Sequence, residues 1–272
     1  MAHMGGKRLI KYLKMYKTLF KYSFIQTTAY RASFFFQIAV ELGYQVVLVV
    51  FFVVIFGNVK AVAGWSYDQI LFLTGLNAVT SEVIISSIFI LGLWPLPNAI
   101  KDGDIDVALL KPVNTLFNLS LARPYSIGVL TAIPGLGLMW YAAAHMHMHI
   151  ALASLALGFF LFLCGLVIAY AIAVIFSSLS FYFVSASGLP KMAESIITNY
   201  KTNPFDVYQG ALRIVFFFII PVVFVSSVPA AAMVRTLNPL FIILSPVFAA
   251  VLLWLAIRMW HVMIKHYSSA SS

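Results

Sequence analysis

The chain has 272 residues, of which 62% are hydrophobic and only 9% charged, with a mean hydropathy of +0.99. Soluble domains carry roughly 25% charged residues, so this composition excludes a water-solvated globule and makes lipid the main solvent. A formal net charge of +9 raises nucleic acid as a partner, but the placement of that charge points to membrane topology instead.

Residues 1–6 read as an expression-tag remnant and carry no functional argument. After them, Leu9, Ile10, Leu13, Tyr16, Leu19, Phe20 and Phe24 recur at helical spacing between lysines. Residues 1–32 are therefore expected to hold a basic amphipathic helix lying in the membrane interface, as a lipid anchor or as an elbow that also touches a cytoplasmic partner. No cleavable signal peptide is expected, because 7–21 is too polar for an apolar core. A helical span needs about 20 apolar residues. Stretches 33–56, 70–93, 125–144, 151–184 and 239–260 meet or approach this, and 214–228, shorter and containing Pro221, makes a sixth. The expected fold is an all-α integral membrane protein, with a single transmembrane domain of six helices over 33–272.

With a cytoplasmic N-terminus, fifteen of the seventeen Lys and Arg residues fall inside, and only Lys60 and Arg235 outside. The positive-inside rule then orients the chain with both termini cytoplasmic. Loops 57–67 and 145–150 are expected outside, and 94–124 and 185–213 in the cytoplasm. Segment 226–238, apolar and too short to span, is expected to fold partly back into the membrane, where protein must satisfy its backbone.

No phosphate-binding GxxxxGK[ST] loop, HExxH pair or CxxC pair occurs. The chain is expected to be no enzyme and to hold no cofactor or metal. Cys164 is the lone cysteine and has no intrachain partner. The most informative stretch is 100–114, IKDGDIDVALLKPVN. Gly103 permits a turn, Asp104 is placed to cap a short helix, and Pro112 ends it. Its apolar face, Ile105, Ala108 and Leu109, suits a partner's groove, with Asp104, Asp106 and Lys111 orienting it by charge. The plain alternative is a solvated loop that binds nothing.

This run, from Ile100 through Gly103-Asp104-Ile105-Asp106 to Leu109-Leu110-Lys111-Pro112-Val113-Asn114, resembles the signature loop of a bacterial family of type-2 ABC transporter permeases. Similarity continues in Asn203-Pro204-Phe205-Asp206-Val207-Tyr208, in Pro221 and Pro229, and in the tail from Tyr267. The resemblance implies a six-helix exporter half in the bacterial plasma (inner) membrane. It implies a coupling element built from Asp104, Asp106, Leu109, Lys111, Pro112 and Asn114. It also implies a separate ABC ATPase subunit that carries ATP and Mg, and a second permease, the same or homologous, with a heterodimer favoured. Membrane lipids are expected partners; nucleic acid is not.

Two acids lie inside expected spans. Glu41 and Glu82, with Asn77 and Ser81, form the candidate translocation path, since intramembrane acids mark pathways or buried pairings. The same acids support a rival reading as a proton-coupled secondary transporter. A membrane-embedded lipid-modifying enzyme is the more distant alternative. His145, His147 and His149 alternate with methionines but lack a carboxylate or cysteine to complete a metal site.

Overall fold

The computed structural model describes residues 2–81, 93, 95–121, 124, 126–146, 151–182, 188–200 and 203–267. Glu82, His147 and His149, each singled out from the sequence, lie outside the described residues, as do the serines of the C-terminal tail. Among the described residues the architecture is all-helical, with one isolated bridge pairing Val62 and Trp65 in the turn after the second helix.

Helix α1 (Ala2–Ala29) leads into α2 (Arg31–Phe56), and α3 (Tyr67–Thr80) comes after a short turn. Three short helices, α4 (Leu96–Lys101), α5 (Asp104–Leu110) and α6 (Thr115–Ser120), precede α7 (Gly128–His145) and α8 (Leu152–Ser178). Then come α9 (Leu189–Tyr200), α10 (Gly210–Ile214), α11 (Ser227–Val234) and α12 (Pro239–Met263). Three helices are long and apolar enough to cross a membrane by length and composition: Arg31–Phe56, Leu152–Phe181 and Pro239–Met263.

Two apolar clusters define two ends of the molecule. One joins Trp65, Ile70, Phe205, Phe224, Val228 and Ala230–Ala232 to Leu161 and Phe241. The other joins Leu96, Ile100, Ile105 and Leu116 to Val174, Phe181, Ala256 and Trp260. Helices α8 and α12 run through both, so each passes from the first end to the second. The end bearing α4, α5 and α6 also carries α1: the Tyr12 ring lies 4.4 Å from that of Phe117, and the Ser23 hydroxyl donates to the Pro124 carbonyl.

The expected span 214–228 is not one helix. Gly210–Ile214 passes into a π turn over Val215–Ile219, the chain breaks at Ile220 and Pro221, and Val222–Phe224 forms a single 3-10 turn. Pro221 has no N–H to continue a ladder, which is a sufficient cause. Beyond the break the chain is buried on all sides: Val222 through Val228, and Ala230 and Ala231, are each 0% exposed. Segment 222–234 thus sits inside protein, as non-helical backbone at membrane depth requires.

Close approach is provided by glycines. A Cβ on Gly75 of α3 would lie 2.5 Å from the Gly135 carbonyl of α7, and one on Gly135 would lie 2.8 Å from the Ala78 Cβ. A Cβ on Gly165 of α8 would collide with the Phe224 carbonyl. In lipid, where apolar side chains gain little by leaving the solvent, such contacts supply much of the helix association. Gly75→Val puts side-chain atoms against backbone that cannot move aside, an overpacking cost of roughly 1–3 kcal/mol. The thermal midpoint of the purified chain in detergent should fall by several degrees. Gly43→Ala, at a site with nothing within 4 Å, should leave it unchanged or slightly raised.

Candidate functional site

The loop singled out from the sequence folds as a helix–turn–helix at the second end. Gly103 adopts φ 77°, ψ 4°, the left-handed turn expected of it, and itself stands at the N-cap position; no side chain caps α5, so Asp104 is its first residue rather than its cap. Lys111 is extended (φ −71°, ψ 138°), as the proline after it demands. Asn114 caps α6 by accepting from the Phe117 N–H at 3.0 Å. Each device comes from local sequence.

The orientation of α5 differs from the expected one. Ile105 is 0% exposed and Ala108 is buried, with Ile105 packed among Leu96, Ile100, Phe181 and Trp260. Two of the three side chains assigned to a partner's groove thus anchor the helix to its own bundle. The outward face carries Asp104, Val107, Leu110 and Lys111, with Val107 61% and Leu110 85% exposed. Leu109 is partly outward, Asp106 is half-buried, and Pro112 and Asn114 are exposed. The exchange has a simple cause: in a seven-residue helix both faces hold apolar residues, and sequence period cannot say which one the bundle takes.

Glu41 lies half-buried on the covered face of α2. That face runs Gln37, Glu41, Gln45 at i, i+4 spacing, one stripe on a helix, and then becomes apolar through Val49 and Phe52. Gln45 is buried and donates from Nε2 to the Thr131 carbonyl of α7 at 3.0 Å. Pro134 lies within α7 and has no N–H to give its ladder, and the Gln45 amide ties α2 to the turn before it. Beside this contact an apolar groove of about 560 Å³ runs between α2 and α7, lined by Leu42, Val46, Val50, Leu138 and Tyr141 among others.

Asn77 is buried on α3 and its Oδ1 accepts from the Ser226 hydroxyl at 2.5 Å. The neighbouring Ser227 hydroxyl accepts from the Phe205 N–H at 2.8 Å. Asn77 is therefore committed to the inserted segment 222–234. Ser81, half-buried and still helical in its backbone, follows directly on α3. Neither Gln45 nor Ser226 stands out in the sequence; the signals available are an i, i+4 polar stripe and a Ser-Ser pair inside otherwise apolar runs.

At the first end, the Asp206 carboxylate accepts from the Trp65 indole N–H at 2.8 Å and pairs with Arg235 at 3.0 Å. The Arg235 guanidinium also stacks over the Trp65 ring at 4.9 Å. This contact bears on the assignment of sides. Trp65 and Arg235 are expected outside and 185–213 wholly cytoplasmic, yet one carboxylate touches both, so all three stand at one end of the molecule. From composition the basic 185–213 segment reads as a single loop. In the structure α9 starts close behind α8 and packs along it with Ala193 and Ile197 in the first cluster, carrying the chain back to Trp65.

Residues 42–271 match the family model described as ABC-2 family transporter protein. No curated protein and no solved structure matches the chain.

Shared location of Asp206, Trp65 and Arg235 is open to a direct check. In a Cys164→Ala background, Asp206→Cys and Lys60→Cys should react with an impermeant thiol reagent from the same side of sealed vesicles. Asp104→Cys should react only from the other side. Labelling of Asp206→Cys together with Asp104→Cys would restore 185–213 to the opposite face.

Proposed function

This chain belongs to the ABC-2 family of transporter proteins, and on that premise we propose that it is the permease subunit of an ATP-driven exporter, working with a separate ATPase and a second permease. In this reading six passes cross the bacterial inner membrane, carried by α2, α3 with the residues after it, α7, α8, α9 with its extension to Asp206, and α12. Both termini and the α4–α6 end lie in the cytoplasm, the orientation that the charge asymmetry favours.

The observation that carries the reading is α5. One face is locked by Ile105 into the bundle, while Val107 and Leu110 stand out of it beside Asp104 and Lys111. A side chain 85% exposed on a rigidly anchored helix is suited to enter a groove of a partner, and flanking charges set register. Anchoring matters because a force-transmitting element must not swivel. ATP binding would draw the ATPases together, and α5 would pass that movement through Ile105 to α8 and α12, which share its cluster. Asp104, Asp106, Leu109, Lys111, Pro112 and Asn114 are assigned to this docking end, with Val107 and Leu110 added from the structure. ATP and Mg belong to the partner, since this chain has no phosphate loop.

Changing Asp106 and Lys111 together to alanine should weaken retention of the ATPase that co-purifies with the unmodified chain. It should also abolish cargo-stimulated ATP hydrolysis with the size-exclusion profile intact. Losing one partner of a buried interfacial charge contact costs about 2–5 kcal/mol. Leu110→Ser should do the same without altering charge. If the unmodified chain brings down no ATPase, or both variants keep full stimulation, the assignment of α5 is wrong.

Glu41, Asn77, Ser81 and Glu82 are assigned to the route for cargo. Glu41→Gln keeps the shape and hydrogen-bonding capacity of the α2 stripe and removes its charge. Cargo movement should drop at least several-fold while assembly and basal ATP hydrolysis stay near normal. A loss confined to expression or thermal stability would make Glu41 a packing residue.

A further inference from the structure

Helix α1 holds an interaction surface that the proposed transport cycle does not use. Its covered residues, Tyr12, Met15, Tyr16, Leu19, Phe20, Ser23 and Thr27, recur at i, i+3, i+4 spacing and form one stripe. Through this stripe α1 rests on the α6 end: Tyr12 stacks on Phe117 and its hydroxyl accepts from the Asn114 N–H at 3.4 Å. Ser23 donates to Pro124 and reaches the Ser126 hydroxyl. Burial pushes the Tyr16 hydroxyl pKa upward, so this face stays neutral.

At 3.6 residues per turn, Lys11, Lys14, Lys17 and Lys21 fall within about 120° of arc, roughly opposite the docked stripe. All four are exposed. Ala2–Ala29 contains no Asp or Glu, and among the described residues no ion pair engages these lysines. Like charges at i, i+3 and i+4 destabilise a helix, so the stripe calls for external anions. Between the lysine face and the docked face lie Leu13, 60% exposed, and Phe24, 43% exposed, eleven residues and therefore about three turns apart. One sector on protein, one apolar and outward, and one cationic is the arrangement of a helix in the headgroup layer. An acidic protein surface would satisfy the lysines and leave Leu13 and Phe24 in water.

We propose that Lys11, Lys14, Lys17 and Lys21 bind the anionic headgroups of the bilayer, and that this occupancy, passed through Tyr12 and Ser23, steadies α6 and with it the placement of α5. Such binding requires only that the chain sit in a membrane, so it stands or fails apart from the exporter reading.

The test is amide hydrogen exchange on the full chain, reconstituted into vesicles of phosphatidylcholine alone or of phosphatidylcholine and phosphatidylglycerol at about 3:1. One lysine near an anionic surface supplies about a fivefold factor, so exchange across α1 should slow at least about fivefold with phosphatidylglycerol. Exchange in α6 should slow with it. Salt near 1 M, where the Debye length is about 3 Å, should return both to the phosphatidylcholine rates. Changing the four lysines to glutamine should remove the difference between vesicles, with α8 and α12 exchange reporting an intact fold. If that variant misfolds, the salt arm on the unmodified chain decides. Tyr12→Ala with Ser23→Ala should keep the slowing in α1 and lose it in α6. Equal α1 exchange in the two bilayers, or slowing that survives the glutamine changes or salt, overturns the lipid assignment. Slowing in α1 that appears only when the ATPase is added gives the face to protein. Slowing of α6 that persists in the Tyr12/Ser23 variant overturns the transmission.

Discussion

Everything in this fold depends on satisfying backbone polar groups away from water. Inside a bilayer an unpaired N–H or C=O costs several kcal/mol, and segment 221–226 is neither a continuous α-helix nor part of a closed sheet. It is tolerable only wrapped in protein. Gly165 lets the backbone of Phe224 and Val225 press against α8, and Gly158 does the same for Pro229 and Met233. Ser227 takes the Phe205 N–H, and Ser226 ties the insertion to Asn77 of α3. The small residues and hydroxyls are thus two halves of one solution: the first make room, the second close the hydrogen bonds that irregular backbone leaves open.

The two ends of the molecule are built differently. At the first, Asp206, Arg235 and Trp65 gather three chain segments about one carboxylate, with Gln69 adding a 3.4 Å contact to the Val234 carbonyl. At the second, apolar packing dominates: Ile105, Leu116, Phe181 and Trp260 share a cluster, with Phe181 edge-on to Trp260. An apolar joint lets a short helix move with its neighbours as a body, since such contacts have no single preferred hydrogen-bond geometry. A charged joint with defined partners holds position.

Helix α2 stands between these roles. Its covered face is polar from Gln37 to Gln45 and apolar beyond, while Phe35, Phe36, Val46, Val47, Val50 and Phe51 point outward. An outward face of that kind is at home in hydrocarbon. The polar half faces α7, and the amide of Gln45 ties the two helices together, so it serves structure. Among the described residues Glu41, one turn away, makes no such bond to α7, and it is the member of the stripe proposed above for the cargo route.

Composition, charge placement and local breakers take a reading of this sequence a long way. Lipid as solvent follows from 9% charge; α2, α8 and α12 follow from long apolar runs; the turn at Gly103, the stop before Pro112 and the cap at Asn114 follow from chemistry within a few residues of each. Family membership is legible in the 100–114 loop for the same reason, because its motif is local. Tertiary structure alone decided questions of facing. Residues 105, 107, 108, 109 and 110 are all apolar, so only packing against Phe181 and Trp260 could choose Ile105 as anchor and leave Leu110 outside. The basic 185–213 segment and the apolar 214–228 run look like loop and span. In the fold α9 packs on α8 and Asp206 meets Arg235 and Trp65, while the apolar run breaks at Pro221, and local sequence shows none of these contacts. Hydropathy sums over neighbours in sequence, whereas a polar helix can be buried, and an apolar one left broken, whenever distant segments supply the missing partners.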